Sequence, residues 1–114
     1  MADCLICRIV AGQVPATIVR EDELTLAFRD ISPQAPVHVL VVTRAHHPTV
    51  AALAADDPDG LVALNRAAAA VAESEGVAGS GWRLVFNNGP DAHQTVPHVH
   101  GHVLGGRPMG WPPG

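Results

Sequence analysis

Three histidines alternate with apolar or small residues near the end of the chain, in the segment His98-Val99-His100-Gly101-His102. Successive side chains of a β-strand point to opposite faces, so a strand here would place the three imidazoles on one face, about 6.6–6.8 Å apart. That spacing lets neighbouring imidazoles contact one bound phosphate group. A neutral imidazole can attack phosphorus near pH 7, which divides one difficult hydrolysis into two easier displacements. Alternating histidines can also bind a catalytic metal, and the spacing alone leaves both interpretations open.

A second motif with chemical potential, Cys4-x-x-Cys7, lies near the beginning of the sequence. A redox pair with this spacing is expected after a strand in a βαβ unit, which does not fit its position here. A structural zinc site needs four nitrogen or sulfur ligands, so two further residues would have to join the cysteines. His46 and His98 are candidates because each lies near one end of a predicted strand, and His47 is a rival to His46. Buried free thiols are the alternative.

The composition limits the partners that the chain can bind. All seven basic residues are arginines, and the 114 residues carry a formal net charge of −4. This balance provides no basic field for nucleic acid or an anionic membrane, so we expect neither partner and expect phosphate to be held locally. No segment approaches the roughly 20 apolar residues that span a bilayer, and no signal peptide is recognisable. We therefore expect a cytoplasmic protein whose cysteines are reduced.

The elements that must position these residues follow an α+β pattern. A short helix is expected over residues 4–10, with Asp3 as its N-cap. A second helical segment at residues 49–55 and a long helix capped by Asp57 follow the third strand. The order predicts one domain over residues 1–114 with a mostly antiparallel sheet. Its five strands are expected at residues 16–20, 24–30, 37–43, 82–87 and 98–104.

Several motifs, in the right order over nearly the whole chain, resemble the histidine-triad (HIT) superfamily and its Hint branch. The segment from His98 to Leu104 resembles the signature His-φ-His-φ-His-φ-φ, where φ is hydrophobic. The resemblance implies a HIT-like fold: a five-stranded antiparallel meander sheet with one long and one or two short helices. It also implies a homodimer that joins two sheets into one. Further matches are Asp30-Ile31-Ser32-Pro33-Gln34-Ala35-Pro36, Asn87-x-Gly89, Gly105-Gly106-Arg107 and Trp111-Pro112-Pro113-Gly114.

The resemblance implies a nucleoside monophosphate derivative bound with its α-phosphorus beside His100. This histidine would attack phosphorus, expel an amine or phosphate, and then release the nucleotide to water. His102 would contact the phosphate, and His38 would support the central imidazole, so these three residues are the expected catalytic group. The carboxylate of Asp30 would hold the ribose hydroxyls. The other implied nucleotide contacts are Phe28, Ile31, Asn87, His93, Gln94, Thr95 and Trp111.

The same resemblance suggests a role for the cysteines. Superfamily members with an N-terminal Cys-x-x-Cys bind zinc through both cysteines, a histidine after the third strand and the first histidine of the triad. The corresponding residues here are Cys4, Cys7, His46 and His98. His98 would then be a structural zinc ligand and not a catalytic acid. No organic cofactor is expected.

The leading expectation is a purine nucleoside 5′-phosphoramidase. The tail at residues 105–114, with Trp111, favours this activity, because in the Hint branch the tail reaches the leaving-group side of the partner subunit's site. The same covalent route could instead hydrolyse dinucleoside polyphosphates or nucleotidyl esters. Two other classes stay open: a nucleotide-binding or zinc-stabilised interaction module with incidental turnover, and a metal-dependent hydrolase with the triad as ligands.

Three positions depart from the family pattern. Gly101 replaces a larger hydrophobic residue, which predicts lost packing and a looser strand. Thr95 replaces a serine that is common in the family, and its hydroxyl can still donate a hydrogen bond. Pro97 has no backbone N–H, so the beginning of the last strand is expected to be unpaired.

Overall fold

The computed structural model describes residues 4–114, and it confirms the α+β class. Its helices are α1 (Leu5–Val10), α2 (Val50–Asp56) and α3 (Pro58–Ser74), with a 3-10 turn at Pro90–Ala92. Among residues 4–114, no helix is long and apolar enough to cross a membrane. The strands are β1 (Ile18–Glu21), β2 (Thr25–Arg29), β3 (Val37–Thr43), β4 (Trp82–Phe86) and β5 (His100–Gly105).

The predicted five-stranded antiparallel sheet is confirmed, with the strand order β1-β2-β3-β5-β4. The first three strands form a meander, whereas β5 enters between β3 and β4 because the chain leaves β3 through α2 and α3. His102 is consequently paired with Leu40 of β3 on one side and with Val85 of β4 on the other. The triad histidines of β5 therefore lie in a strand whose backbone is held from both sides.

The two faces of the sheet have different coverings. Helix α3 begins with Pro58 after Asp57, whose side chain accepts a hydrogen bond from the Gly60 N–H, as the sequence predicts. Its apolar residues pack on one face of the sheet, where Val39, Val41, Leu64, Val71 and Val103 are completely buried. Burying each such side chain contributes about 1.5–3 kcal/mol relative to leaving it exposed. The opposite face packs against α1 through Ile6, Phe28 and Val42, and it carries the histidines.

The ends of two elements differ from the sequence prediction. Helix α1 is capped by Cys4, whose Sγ accepts a hydrogen bond from the Cys7 N–H, and the predicted cap Asp3 lies outside the described residues. Strand β5 begins at His100, so the prediction that it includes His98 was wrong. The N–H of His98 donates to Val96 O and that of Val99 to His47 O, outside the sheet. The two residues after Pro97 thus lie before the strand, and the expected unpaired beginning was wrong for β5 itself, because its first residue, His100, pairs with Val42.

Gly101 does not loosen β5, in contrast to the sequence-based expectation. The residue is buried, and the neighbouring strand fills the space that a side chain would take. A Cβ atom at this position would lie 2.9 Å from Leu84 Cδ1 and 3.0 Å from Phe86 Cε1. Such contacts are closer than van der Waals packing allows. The missing side chain is thus compensated by two larger ones in β4.

Candidate active site

A cleft of about 350 Å³ lies beside the histidines, between α1 and the sheet. Its polar end is formed by His100, His102, Asp30 and Thr95. A cleft whose lining is polar in one part and apolar in another suits a ligand that itself has a polar and an apolar part. The apolar wall comes from Leu5, Ile6, Ile9, Val14, Pro15, Phe28, Ile31, Leu40 and Val96.

His100 presents a nitrogen lone pair to this cleft. Its Nδ1 lies 2.7 Å from the main-chain carbonyl oxygen of His98. A carbonyl oxygen only accepts hydrogen bonds, so Nδ1 carries the hydrogen of the neutral ring and Nε2 carries the lone pair. The residue is 8% exposed. The hydrogen bond therefore both orients the ring and leaves Nε2 as the nucleophilic atom.

His38 and His102 form a pair in which each ring has a defined hydrogen. The Gln34 N–H donates to His38 Nδ1 at 3.0 Å, so the hydrogen of neutral His38 is on Nε2. That Nε2 lies 2.9 Å from His102 Nδ1 and 3.4 Å from Asp30 Oδ2. His102 Nδ1 accepts the hydrogen bond, which leaves its own hydrogen on Nε2. His102 therefore offers an N–H donor at the cleft, where His100 offers a lone pair.

The electrostatics of this pair favour the neutral form of both rings. Burial, together with the smaller effect of the charges that His100 and His38 can carry, lowers the pKa of His102 to about 4, while Asp30 opposes the shift. Burial also lowers the pKa of His38, again against the effect of Asp30. Both imidazoles are consequently uncharged at neutral pH, which the donor and acceptor assignments above require.

A second cluster brings together Cys4, Cys7, His46 and His98, whose ligand atoms all lie within 4.8 Å of one another. The Nδ1 atoms of the two histidines are 3.2 Å apart, and three sulfur-to-nitrogen distances are 3.4, 3.4 and 3.5 Å. A tetrahedral zinc site has edges of about 3.3 Å between nitrogens and about 3.6 Å between nitrogen and sulfur, given its usual bond lengths. The four residues therefore fit a zinc ion in both donor type and spacing.

The surroundings of this cluster prepare His98 to act as a ligand. Its Nε2–H donates to the Thr43 carbonyl oxygen at 2.8 Å, which leaves the Nδ1 lone pair facing the cysteines. Burial lowers the pKa of His98 to about 4, so the ring is neutral. Burial, followed by the neighbouring Cys4, raises the pKa of the Cys7 thiol. A metal ion would therefore have to displace a proton from Cys7.

The structure distinguishes between His46 and His47, the two histidines after β3 that are candidates for the metal site. His46 has its Nδ1 in the cluster, 3.4 Å from Cys7 Sγ. His47 is not among the four clustered side chains, and its carbonyl oxygen accepts a hydrogen bond from the Val99 N–H. Because His98 also belongs to this cluster, the three triad imidazoles do not converge on one point.

Several nucleotide contacts suggested by the sequence lie together at the cleft. Phe28 is buried in its apolar wall, and Ile31 is fully exposed at its edge. Asp30 follows β2, and its Oδ1 accepts a hydrogen bond from the Ser32 N–H at 2.8 Å. Thr95 also lines the cleft. Asp30 and Thr95 thus lie at the polar end with the histidines.

Four other predicted contacts are not among the residues that line this cleft in the described part of the chain, residues 4–114. Asn87 follows Phe86, which pairs with Gly101, so Asn87 lies beside His100 in the register of the sheet. His93 is exposed, and Trp111 is 82% exposed. The side chain of Gln94 instead joins its loop to the segment before α2: its Oε1 accepts from the Gly89 N–H, and its Nε2 donates to Val96 O and Pro48 O.

The part of the cleft that comes from α1 was not predicted from the sequence. Leu5 and Ile9 are four residues apart on this helix, and this spacing, which places both on one side, is a signal that could have indicated it. Gln34 was not predicted either, because a main-chain N–H has no signature in a sequence. That N–H determines which nitrogen of His38 carries the hydrogen.

Comparison with known proteins agrees with this geometry. The HIT domain model matches residues 11–109 of the chain. The purine nucleoside phosphoramidase of Escherichia coli K12 is 42% identical over 108 residues, which covers 95% of this chain and 91% of that protein. The 14 kDa zinc-binding protein of Brassica juncea is 41% identical over 114 residues, covering 98% and 100%. The crystal structure of a HIT family hydrolase from Legionella pneumophila Philadelphia 1 superposes with a TM-score of 0.94 at 46% identity, covering 98% and 100%. The chain belongs to the HIT domain family.

Proposed function

We propose that the protein is a nucleotide hydrolase that acts at the α-phosphorus through a covalent nucleotidyl-histidine, with purine nucleoside 5′-phosphoramidates as substrates. The observation that carries this proposal is the 2.7 Å contact between His100 Nδ1 and the His98 carbonyl oxygen. It leaves Nε2 of His100 as a lone-pair nitrogen in a cleft suited to a nucleotide. The 42% identity to a purine nucleoside phosphoramidase supports the class of substrate.

The reaction proceeds in two displacements at phosphorus. In the first, His100 Nε2 attacks the α-phosphorus, the P–N bond breaks, and the amine leaves with a proton from solvent. In the second, water attacks the same phosphorus and releases a proton to solvent, the bond to Nε2 breaks, and the nucleoside monophosphate departs as His100 regains its lone pair. The Nε2–H of His102 donates to a non-bridging oxygen, where negative charge grows in each transition state.

The rest of the substrate fits the remaining parts of the cleft. The apolar wall with Phe28 and Ile31 receives the base, and Asp30 accepts hydrogen bonds from the ribose hydroxyls. Asn87, His93, Gln94 and Thr95 belong to the loop after β4, on the side of the phosphate and leaving group. This assignment needs no basic surface, because the α-phosphate is held by a neutral imidazole N–H.

The second cluster holds a structural zinc ion in this proposal, with Cys4, Cys7, His46 and His98 as ligands. Zinc, when bound, supplies a covalent-like cross-link and no chemistry on the substrate. His98 is the important member, since its carbonyl oxygen also receives the Nδ1–H of His100. The cluster thereby connects α1, which forms the apolar wall, to the segment that orients the nucleophile.

We further propose a cytoplasmic homodimer of this single domain, in which the two sheets join. Trp111 is 82% exposed in the tail at residues 105–114, and its indole is available to a second copy. In this arrangement the tail of one protomer reaches the leaving-group side of the other protomer's cleft. The free thiols of Cys4 and Cys7 suit a reducing compartment.

Turnover of adenosine 5′-phosphoramidate tests this function. We expect release of AMP, and an acid-labile nucleotidyl adduct on His100 when the reaction is quenched during turnover. His100→Gly should lower turnover by at least about a thousandfold, because the nucleophile is lost. Added imidazole should restore part of the rate to this variant, which separates lost chemistry from lost folding.

The same assay distinguishes the other hypotheses. A His100→Gly variant that turns over at the wild-type rate would contradict the covalent route. Activity that disappears with a chelator while the fold survives would favour a metal-dependent hydrolase. A higher kcat/KM on a dinucleoside polyphosphate than on the phosphoramidate would mean that the natural leaving group is a nucleotide and not an amine, while the covalent mechanism would stay the same.

A further inference from the structure

The turn that follows β5 contacts the loop between β2 and β3 at two places. Arg107 donates from Nε and Nη2 to the Gln34 carbonyl oxygen, at 3.3 and 3.0 Å. One residue earlier, Gly106 has a φ of +88°, and a Cβ atom there would lie 2.9 Å from Pro36 Cβ. Glycine at this position therefore lets the turn approach the loop closely, and the arginine then fastens it.

The residue that Arg107 binds is also the residue that controls His38. The main-chain N–H of Gln34 donates to His38 Nδ1 at 3.0 Å. The Gln34 side chain donates to Ser32 O at 2.9 Å, so the residue is held at its carbonyl, its N–H and its amide. Because Pro33 and Pro36 lack an N–H, this loop has few donors that could replace Gln34.

We propose that Arg107 is a positioning residue for the His38–His102 pair. It holds Gln34 in the orientation in which the N–H meets His38 Nδ1. The hydrogen of His38 is then kept on Nε2, from which it is donated to His102 Nδ1. His102 is left with its own hydrogen on Nε2, facing the cleft. The expected effect on turnover rests on the proposed function, whereas the effect on the hydrogens of His38 does not.

The chemistry of the side chain accounts for an arginine at this position. Its planar guanidinium places two N–H groups on one acceptor, while a third, Nη1, donates to Pro108 O at 3.1 Å. A lysine can supply one strong donor to Gln34 O but cannot hold both carbonyl groups in a fixed geometry. Arg107→Lys should therefore retain part of the effect, and Arg107→Ala should retain none.

The hydrogens of His38 can be observed directly by NMR of protein labelled with ¹⁵N in its histidines. We expect the wild-type protein to show only the Nε2–H form of His38, and Arg107→Ala to show a mixture of both neutral forms. Arg107→Lys should fall between them. Arg83→Ala is the matched control, because Arg83 Nη2 also binds a carbonyl oxygen of the tail, that of Gly110 at 3.0 Å, without contacting Gln34. This control should leave the His38 signals unchanged.

Kinetics on adenosine 5′-phosphoramidate then test whether the effect passes through His38. Arg107→Ala should lower kcat about tenfold with a smaller change in KM, since a misplaced donor at phosphate acts in the transition state. In a His38→Ala background the same substitution should have no further effect on kcat.

Two results would overturn the proposal: an unchanged His38 tautomer in both Arg107 variants, or losses of kcat that multiply in the double variant. A chain that shows the tautomer change but hydrolyses no nucleotide supports the positioning role and refutes the proposed function. If Arg107→Ala does not fold, the lysine variant gives the same two measurements.

Discussion

Two clusters of titratable side chains lie on either side of His100 and differ in how their histidines are used. The cluster that we propose to bind zinc, called the zinc cluster below, consists of Cys4, Cys7, His46 and His98, and the relay cluster consists of Asp30, His38 and His102. Each brings its potential ligand atoms within 4.8 Å of one another. In the zinc cluster the ring nitrogens and thiols converge on one point. In the relay cluster an N–H of one ring is aimed at the lone pair of the next.

The main-chain group behind each ring explains this difference. His98 donates to the Thr43 carbonyl and therefore turns a lone pair inward, as a metal ligand must. His38 accepts from the Gln34 N–H and therefore turns an N–H inward, which makes its Nε2 unsuitable as a ligand. His100 follows the rule of His98, because its partner is also a carbonyl oxygen. A carbonyl oxygen that accepts from one ring nitrogen leaves a lone pair on the other nitrogen. An amide N–H that donates to one ring nitrogen leaves a hydrogen on the other.

The largest expected effect that tests the difference between the two clusters is that of metal binding. We expect about one zinc ion per chain, held by the zinc cluster and not by the relay cluster. Cys4→Ser should abolish it and lower the free energy of unfolding by on the order of 3 kcal/mol or more, because binding energy is folding energy at such sites. Asp30→Asn should leave the zinc content unchanged. Elemental analysis and thermal unfolding, with and without chelator, provide the measurements.

His47→Ala is the matched control for this experiment, since His47 is adjacent to a ligand but its side chain is not one of the four that cluster. It should retain the metal. Wild-type protein that contains no zinc and unfolds at the same temperature with chelator would refute the assignment. Two metal ions per chain would show that the relay cluster also binds one.

The sequence predicts much of the fold because the relevant patterns are local. A run of apolar, largely β-branched residues locates β3, the alternating histidines locate β5, and Asp57 with Pro58 marks the beginning of α3. The exact start of β5 could not be predicted, because it depends on His47 and Val96 accepting the hydrogen bonds of Val99 and His98. The first of these bonds joins segments that are far apart in the sequence, and the second lies in an irregular segment, so neither has a sequence pattern.

The proposed division of the histidines into ligands, nucleophile and relay could be predicted only in part. The resemblance to the family supplied the residues, but the hydrogens on the rings depend on main-chain groups. Thr43 and His98 are 55 positions apart in the sequence, and no side-chain pattern marks their contact. Gln34 lies only four residues before His38, yet its contribution is an N–H that nearly every residue has. Tertiary structure alone brings that N–H to the ring.

A smaller effect, on KM, is expected when Asp30 of the relay cluster is replaced. Asp30 Oδ1 supports the loop through Ser32, and Oδ2 lies 3.4 Å from His38 Nε2. Asp30→Asn keeps an acceptor for the loop and removes the charge. We expect KM for adenosine 5′-phosphoramidate to rise about tenfold, corresponding to about 1.4 kcal/mol for a charged hydrogen bond to the ribose.

The matched control for Asp30 is a substrate. A 2′,3′-dideoxy analogue lacks both ribose hydroxyls, so its KM should change little between wild type and Asp30→Asn. Equal increases in KM for both substrates would mean that Asp30 acts on the histidine pair and not on the ribose. That outcome would place its function wholly inside the relay cluster.

The smallest effect concerns the proton balance of the relay cluster. The pKa of His102 is lowered to about 4 by burial, from an ordinary value near 6.5. Between these pH values His102 binds a proton in the unfolded chain but stays unprotonated in the folded protein. The free energy of unfolding should therefore fall as the pH decreases from about 6.5 to about 4. Above this window the contribution is complete, and below it no further stability is lost. His102→Asn cannot titrate and should show a shallower slope within the window.

The difference in slope should be less than about 1.4 kcal/mol per pH unit, the value for one whole proton, because the side chain is only partly buried. Urea unfolding of both proteins across this pH range measures it, and loss of zinc at low pH affects both in the same direction. Equal slopes would mean that His102 takes up its proton in the folded state as easily as in the unfolded chain. Below about pH 6.5 its Nδ1 would then be protonated and could not accept from His38. The distinction between a metal-binding cluster and a hydrogen-bonded relay would then hold only above that pH.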